Sequence, residues 1–196
     1  MALYLTHPEV VIDPNVPTPR WGLSDIGRER LQNAVDRGIF DHVSQIISSS
    51  EQKAIDGAEI VGQRLGITFI QDPMCDENDR SATGFLPAEK FNEIADQFFE
   101  KPDKSILGWE TSGDAQKRIV TAVSKHLQSV DEETTLFVGH GAIGTLLKCH
   151  IGKRTISRDE DQRTIGAPGG GNLFAFDWAS PKLQTDWFAL EDWPNS

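Results

Sequence analysis

Cysteine is scarce in this chain. Only Cys75 and Cys149 occur among 196 residues. The pair makes neither a disulfide framework nor a metal-binding spacing. No His/Cys/Asp/Glu cluster has ligand spacing either, so no metal and no other cofactor is expected, and a reducing cytoplasm is the expected location. Long apolar runs are also lacking, so no membrane span is predicted. The N-terminal run Leu3-Tyr4-Leu5-Thr6 is too short, and too poor in basic residues, for a secretory signal. Positive charge is in deficit: the net charge is −11. Such a surface repels a phosphate backbone, which argues against nucleic acid as a partner. A local basic pocket can still hold a small anion. Gly-x-Ser-x-Gly is missing, which excludes the usual serine hydrolase elbow. Gly169-Gly170-Gly171 lacks nucleotide-loop spacing and reads as a flexible lead into a strand.

What is present alternates between strand and helix patterns. Residues 3–6, 42–47, 68–70, 134–138 and 172–177 read as strands. Between them, helices are predicted from Ser24 to Gly38, 51–65, 87–100, 111–127 and 142–151. Residues 8–22 are proline-rich and non-helical. Residues 152–168, with Arg154, Arg158 and Arg163, read as a charged loop, and the tail holding Trp178, Trp187 and Trp193 as irregular. The pattern predicts an α/β three-layer sandwich: a mostly parallel central sheet flanked by helices. One domain spans residues 1–196, with residues 76–130 partly forming a cap over the site.

Two histidines end short apolar strands: His7 after β-like Leu3–Thr6, and His140 after Thr135–Gly139. Strand ends are where such sheets present chemistry, so the pair suggests one pocket built from distant segments. Either histidine alone reads more simply as structural. The run Ser48-Ser49-Ser50-Glu51-Gln52-Lys53 sits at a strand-to-helix junction, where free amides favour an anion and Lys53 adds charge. An ordinary serine cap with a solvated lysine explains it as well. Glu77 lies in an acidic loop, and near an anion it would serve as a general acid. Arg20 and Arg80 are candidate phosphate forks; each also reads as a surface ion-pair partner.

In this order the features resemble the histidine phosphatase superfamily, with its phosphoglycerate-mutase-like fold. Leu23-Ser24-Asp25-Ile26-Gly27-Arg28 is similar to the family's Leu-Thr-x-x-Gly-Arg. Ser48-Ser49 through Lys53-Ala54 is similar to its Ser-Ser-x-x-x-Arg-Ala. Glu77 stands for its mid-chain glutamate, and Val138-Gly139-His140-Gly141 for its Val-x-His-Gly. Thr6-His7-Pro8 stands where the family has Arg-His-Gly. The resemblance implies that His7 is the nucleophile and Glu77 the proton donor. It also implies that Lys53, His140 and the Gly141 segment hold the phosphoryl group. Thr6 and Lys53 replace arginines there, and Lys53 cannot grip two oxygens in one plane. Arg20 or Arg80 would then restore the charge.

The leading expectation is a metal-independent phosphatase acting on a small phosphomonoester through a phosphohistidine. A degenerate member that binds a phosphorylated or anionic ligand without turnover is the second reading. A phosphoglycerate-type mutase is the third, with the altered first motif weighing against it. A structural protein, or a homo-oligomer joined through the tryptophan tail, is a further alternative, although packing on the sheet is the commoner fate of such residues.

Overall fold

The computed structural model describes residues 1–128 and 132–194; residues 129–131, where the expected cap segment ends, and 195–196 lie outside the described residues. The sheet comprises β1 (Ala2–Thr6), β2 (Gln45–Ser48), β3 (Phe69–Gln71), β4 (Thr135–Gly139), β5 (Asn172–Asp177), β6 (Lys182–Leu183) and β7 (Phe188–Ala189). Its order is β3-β2-β4-β1-β5-β6, with β7 also on β5. The first four strands are parallel, and β5 joins β1 antiparallel. The helices are α1 (Asp25–Asp36), α2 (Gln52–Leu65), α3 (Ala88–Glu100), α4 (Ser112–Leu127), α5 (Gly141–Ile151) and the short α6 (Gln162–Ile165).

Side-chain alternation creates the three expected layers. Leu3 and Leu5 of β1 pack with Leu31 and Val35 of α1 and Ala58 and Val61 of α2. Ala2 and Tyr4, pointing the other way, pack with Phe98 of α3, Ile119 of α4 and Leu146 of α5. A sheet buried on both faces suits near-continuous apolar parallel strands. Ser24 caps α1 as its sequence indicates, its Oγ accepting from the Gly27 amide at 3.1 Å. No described helix is long and apolar enough to cross a membrane.

Several local expectations change. The second strand starts at Gln45, not at residue 42. Val43 is buried and its amide is taken by Phe40 O at 2.8 Å, so residues 40–43 turn before the strand begins. The three serines do not cap α2 by the usual bond to its first turn. Glu51 is the N-cap residue and makes no side-chain cap, while Ser49 and Ser50 bond to Asp76. Residues 162–165 of the expected loop are helical, and the tail contributes β6 and β7. Its tryptophans pack inward: Trp187 is buried and meets Phe174 edge-on at 4.8 Å.

Lys148 anchors a partly buried charge cluster outside the site. It is fully buried on α5, yet its ammonium lies 2.8 Å from Glu160 and also pairs with Asp186. Arg154 bonds to the same two carboxylates. This ties the 154–163 segment to the tail. Lys148→Ala is expected to destabilise the fold by about 2–5 kcal/mol, because it leaves a cavity and removes one of the two cations shared by Glu160 and Asp186. Urea unfolding of the variant measures this; a loss below 1 kcal/mol would mean the cluster is not under load.

Candidate active site

Parallel pairing of β1 with β4 sets Thr6 opposite Gly139, so the next residues emerge side by side. His7 N donates to Gly139 O at 3.0 Å, and the rings of His7 and His140 meet with centroids 5.2 Å apart. The two strand-end histidines therefore do share one place. The three glycines are not a loose lead into β5. Gly170 has φ +81°, and a Cβ on it would stand 2.2 Å from the His7 carbonyl oxygen. Gly171 N donates to that same oxygen at 3.1 Å. Only glycine lets the backbone approach so closely.

The hydrogen bonds assign the ring protons. His7 Nδ1 lies 2.8 Å from Pro8 O. A carbonyl can only accept, so Nδ1 carries the hydrogen and Nε2 keeps a lone pair. Ser49 Oγ donates to Asp76 Oδ1 at 2.7 Å and accepts the Glu51 amide at 3.1 Å. Its remaining capacity is as an acceptor, so at 2.7 Å it takes the hydrogen of His140 Nε2. His140 Nδ1 is then a bare lone pair, buried and without a hydrogen-bond partner among the described residues.

Both imidazoles are held neutral. Burial, reinforced by the Lys53 ammonium, brings His7 down to about 4. Burial also holds His140 well below the ordinary histidine value, against the pull of Glu51. Between pH 6.5 and 4 the unfolded chain thus binds protons that the folded one refuses. Stability is therefore expected to rise with pH across that window and to be lost as pH falls through it. Histidine NMR titration should find the His7 midpoint near 4, with the urea midpoint dropping over the same range. A His7 midpoint at the model-peptide value would contradict the burial argument.

Glu77 follows β3 and accepts from the first amides of α5: Ile143 N at 3.1 Å and Ala142 N at 3.3 Å. A carboxylate at a helix N-terminus is a favourable arrangement. Arg118 of α4 pins the loop from behind, donating to Met74 O and Asp76 O at 2.9 Å and to Glu77 O at 3.2 Å. A cavity of about 580 Å³ opens in front of His7; Lys53, Glu77, Asn78, Arg80 and Gly141 are in its wall. A side chain at Gly141 would meet Gln162 at 2.2 Å.

The other expected residues divide. Lys53 is buried at the cavity, but its ammonium is already engaged by Glu51 and by Thr18 O at 2.9 Å. Arg80 reaches the cavity with no ion pair among the described residues; its guanidinium lies over Phe91 at 5.2 Å and Trp109 at 5.7 Å. Arg20 is exposed and lies outside the wall, and His140, fully buried beside His7, is not part of it either. Thr6 is also outside it: fully buried, it donates to Gln162 Oε1 at 2.6 Å and accepts the Asn172 amide at 3.0 Å, joining β1 to β5 and α6. Within 76–130, residues such as Phe85 and Phe91 line the cavity, whereas α4 packs against α5. Arg158 and Arg163 line it too. Their charge is plain in the sequence, but nothing there signals their direction. Nor did anything in the sequence mark Arg118 or the acceptor role of Ser49.

A family model described as histidine phosphatase superfamily (branch 1) matches residues 16–169. That span includes the Ser-Ser helix, Glu77 and His140, and begins after His7. No curated protein matches the chain. Among solved structures, it is similar to a mycobacterial glucosyl-3-phosphoglycerate phosphatase in complex with inorganic phosphate. The identity is 18%, the cover 97% of this chain and 98% of that one, and the TM-score 0.75. It is similar also to Bacillus stearothermophilus YhfR, at 18% identity over 94% and 96% of the two chains and a TM-score of 0.72. These likenesses bear on the fold, a phosphoglycerate-mutase-like sandwich; the family follows from the matched span, and the chain belongs to the histidine phosphatase superfamily, branch 1.

Proposed function

We propose that this chain is a metal-independent phosphatase that hydrolyses a small phosphomonoester through a phosphohistidine on His7. One observation carries the reading: His7 Nδ1 is tied to Pro8 O, which leaves a neutral Nε2 beside His140 in a cavity that also holds Glu77. In the first step Nε2 attacks phosphorus and the ester P–O bond breaks. Glu77 gives a proton to the departing alkoxide oxygen. Water then attacks the phosphohistidine, the P–N bond breaks, and Glu77 takes the water's proton. Dividing one displacement into two is ordinary covalent catalysis. Arg80 supplies positive charge to the phosphoryl oxygens, and the buried His140 beside His7 donates Nδ1–H to them after taking up a proton from water as the dianion binds. The phosphate-bound structural neighbour supports a phosphorylated ligand for a fold of this kind.

A second reading has its own support. Lys53 is paired with Glu51 and Thr6 with Gln162 and Asn172, so neither stands free for phosphate. That favours binding without turnover. A phosphomonoester panel assayed with chelator separates the two. Chelator-indifferent phosphate release with an acid-labile phosphoenzyme is expected. Ligand-induced thermal shifts with no release on any ester would replace the enzyme by the binder. In the same assay Arg80→Ala should weaken vanadate inhibition by roughly tenfold or more, the order expected for one charge-assisted contact, and Arg20→Ala should leave it unchanged.

A further inference from the structure

The cavity in front of His7 is far larger than a phosphate group. At about 580 Å³ it falls in the range that holds a whole small organic molecule. Its inner wall is aromatic: Phe91 and Trp109 lie 5.8 Å apart, centroid to centroid, and Phe98 is 6.2 Å from Trp109. At its opening Ile12 is 63% exposed and Phe85 39% exposed, although both line the cavity. Large apolar side chains left in water at the edge of a pocket mark a place for apolar ligand surface. Phe85 also pairs with Trp21, which extends the aromatic wall outward.

Two guanidinium groups of the cavity lie against these rings, Arg163 at 5.0 Å and Arg80 at 5.2 Å from the Phe91 centroid. Arg80 joins the two regions, since its guanidinium covers both Phe91 and Trp109 and its charge is felt at His7 and His140. Asn78 is buried in the wall, and its Nδ2 has no hydrogen-bond partner among the described residues. Gln162 Oε1 is taken up by Thr6 and Asn172, while its Nε2 stands beside Gly141 in the cavity wall. A sugar carries many hydroxyls, and those set against Ile12, Phe85 and the buried rings would lose water without a replacement partner, the polar partners being confined to groups such as Arg163 and Asn78.

Resting on the phosphatase reading above, we infer that the group esterified to the substrate's phosphate is an apolar, ring-bearing alcohol and not a polyhydroxylated sugar. The phosphoryl end lies at the histidines, within reach of Arg80 and Asn78. The ring lies among Phe91, Trp109 and Phe85.

The test compares 2-phenylethyl phosphate with glucose 6-phosphate. Both release a primary alkoxide, so leaving-group chemistry does not favour either. The expected result is a kcat/KM higher by roughly tenfold or more for the phenylethyl ester, the order expected for burying one ring. Phe85→Ala, at an exposed position, should bring the ratio of the two down towards one. A parallel arm measures binding of 3-phenylpropylphosphonate and 3,4-dihydroxybutylphosphonate to the wild-type protein, which needs no turnover. Tighter binding of the phenyl compound by about tenfold supports the inference even if neither ester is hydrolysed, in which case only the phosphatase reading fails. Equal or reversed preference in both arms overturns the inference and leaves the phosphatase reading standing if esters are turned over.

Discussion

His7→Ala should lower phosphate release from any ester by roughly 10,000-fold or more, because it removes the atom to which the phosphoryl group transfers. Residual catalysis from Arg80 and binding alone falls far short of a covalent route. The fold should survive. His7 is not in either apolar cluster, and its one side-chain bond, to Pro8 O, is local. Initial rates and acid-quenched phosphoenzyme, measured beside a thermal melt, separate chemistry from stability. A variant retaining a tenth of the wild-type rate, correctly folded, would exclude His7 as nucleophile. Because the family match begins at residue 16, the role of His7 rests on geometry and on the altered Thr6-His7-Pro8 motif, outside the matched span.

Glu77→Gln carries the second large effect. A general acid contributes roughly 100- to 10,000-fold, so alkyl phosphates, whose alkoxide leaves badly, should slow by that order. 4-Nitrophenyl phosphate should slow far less, since its phenolate departs without a proton. The split between the two substrates is the diagnostic. Equal losses on both would point to distortion of the loop, because glutamine cannot accept from Ile143 and Ala142 with both of its terminal atoms. Arg118 keeps that alternative measurable. It holds the backbone carbonyls of residues 74, 76 and 77, so the loop stays in place when one side-chain bond is lost.

Helix α1 and strand β4 show how much was legible in the chain. Ser24, an apolar stripe and Gly38 announce the first; the apolar run Leu136-Phe137-Val138 announces the second. Both depend on neighbours a few positions away, where periodicity and capping act. Strand β2 was misplaced by three residues at its start because Val43 is apolar for a different reason, burial beneath a turn. Likewise the serines before α2 look like caps, but the groups they bond to are 26 and 27 positions away, in Asp76.

The same boundary divides the site. From the sequence alone came the order of elements, the three layers and the two strand-end histidines, because hydrophobic period and strand termini are local properties. Tertiary structure alone decided which charges face the cavity. Lys53 was drawn to Glu51 and Thr18 O, Thr6 was turned to α6 and β5, Arg20 was left outside, and Arg80, Arg158 and Arg163 were brought in. Apart from the Lys53–Glu51 pair, two positions apart, those outcomes depend on partners far away in the chain. Desolvation and pairing set that result only after the sheet and its helices have closed around them.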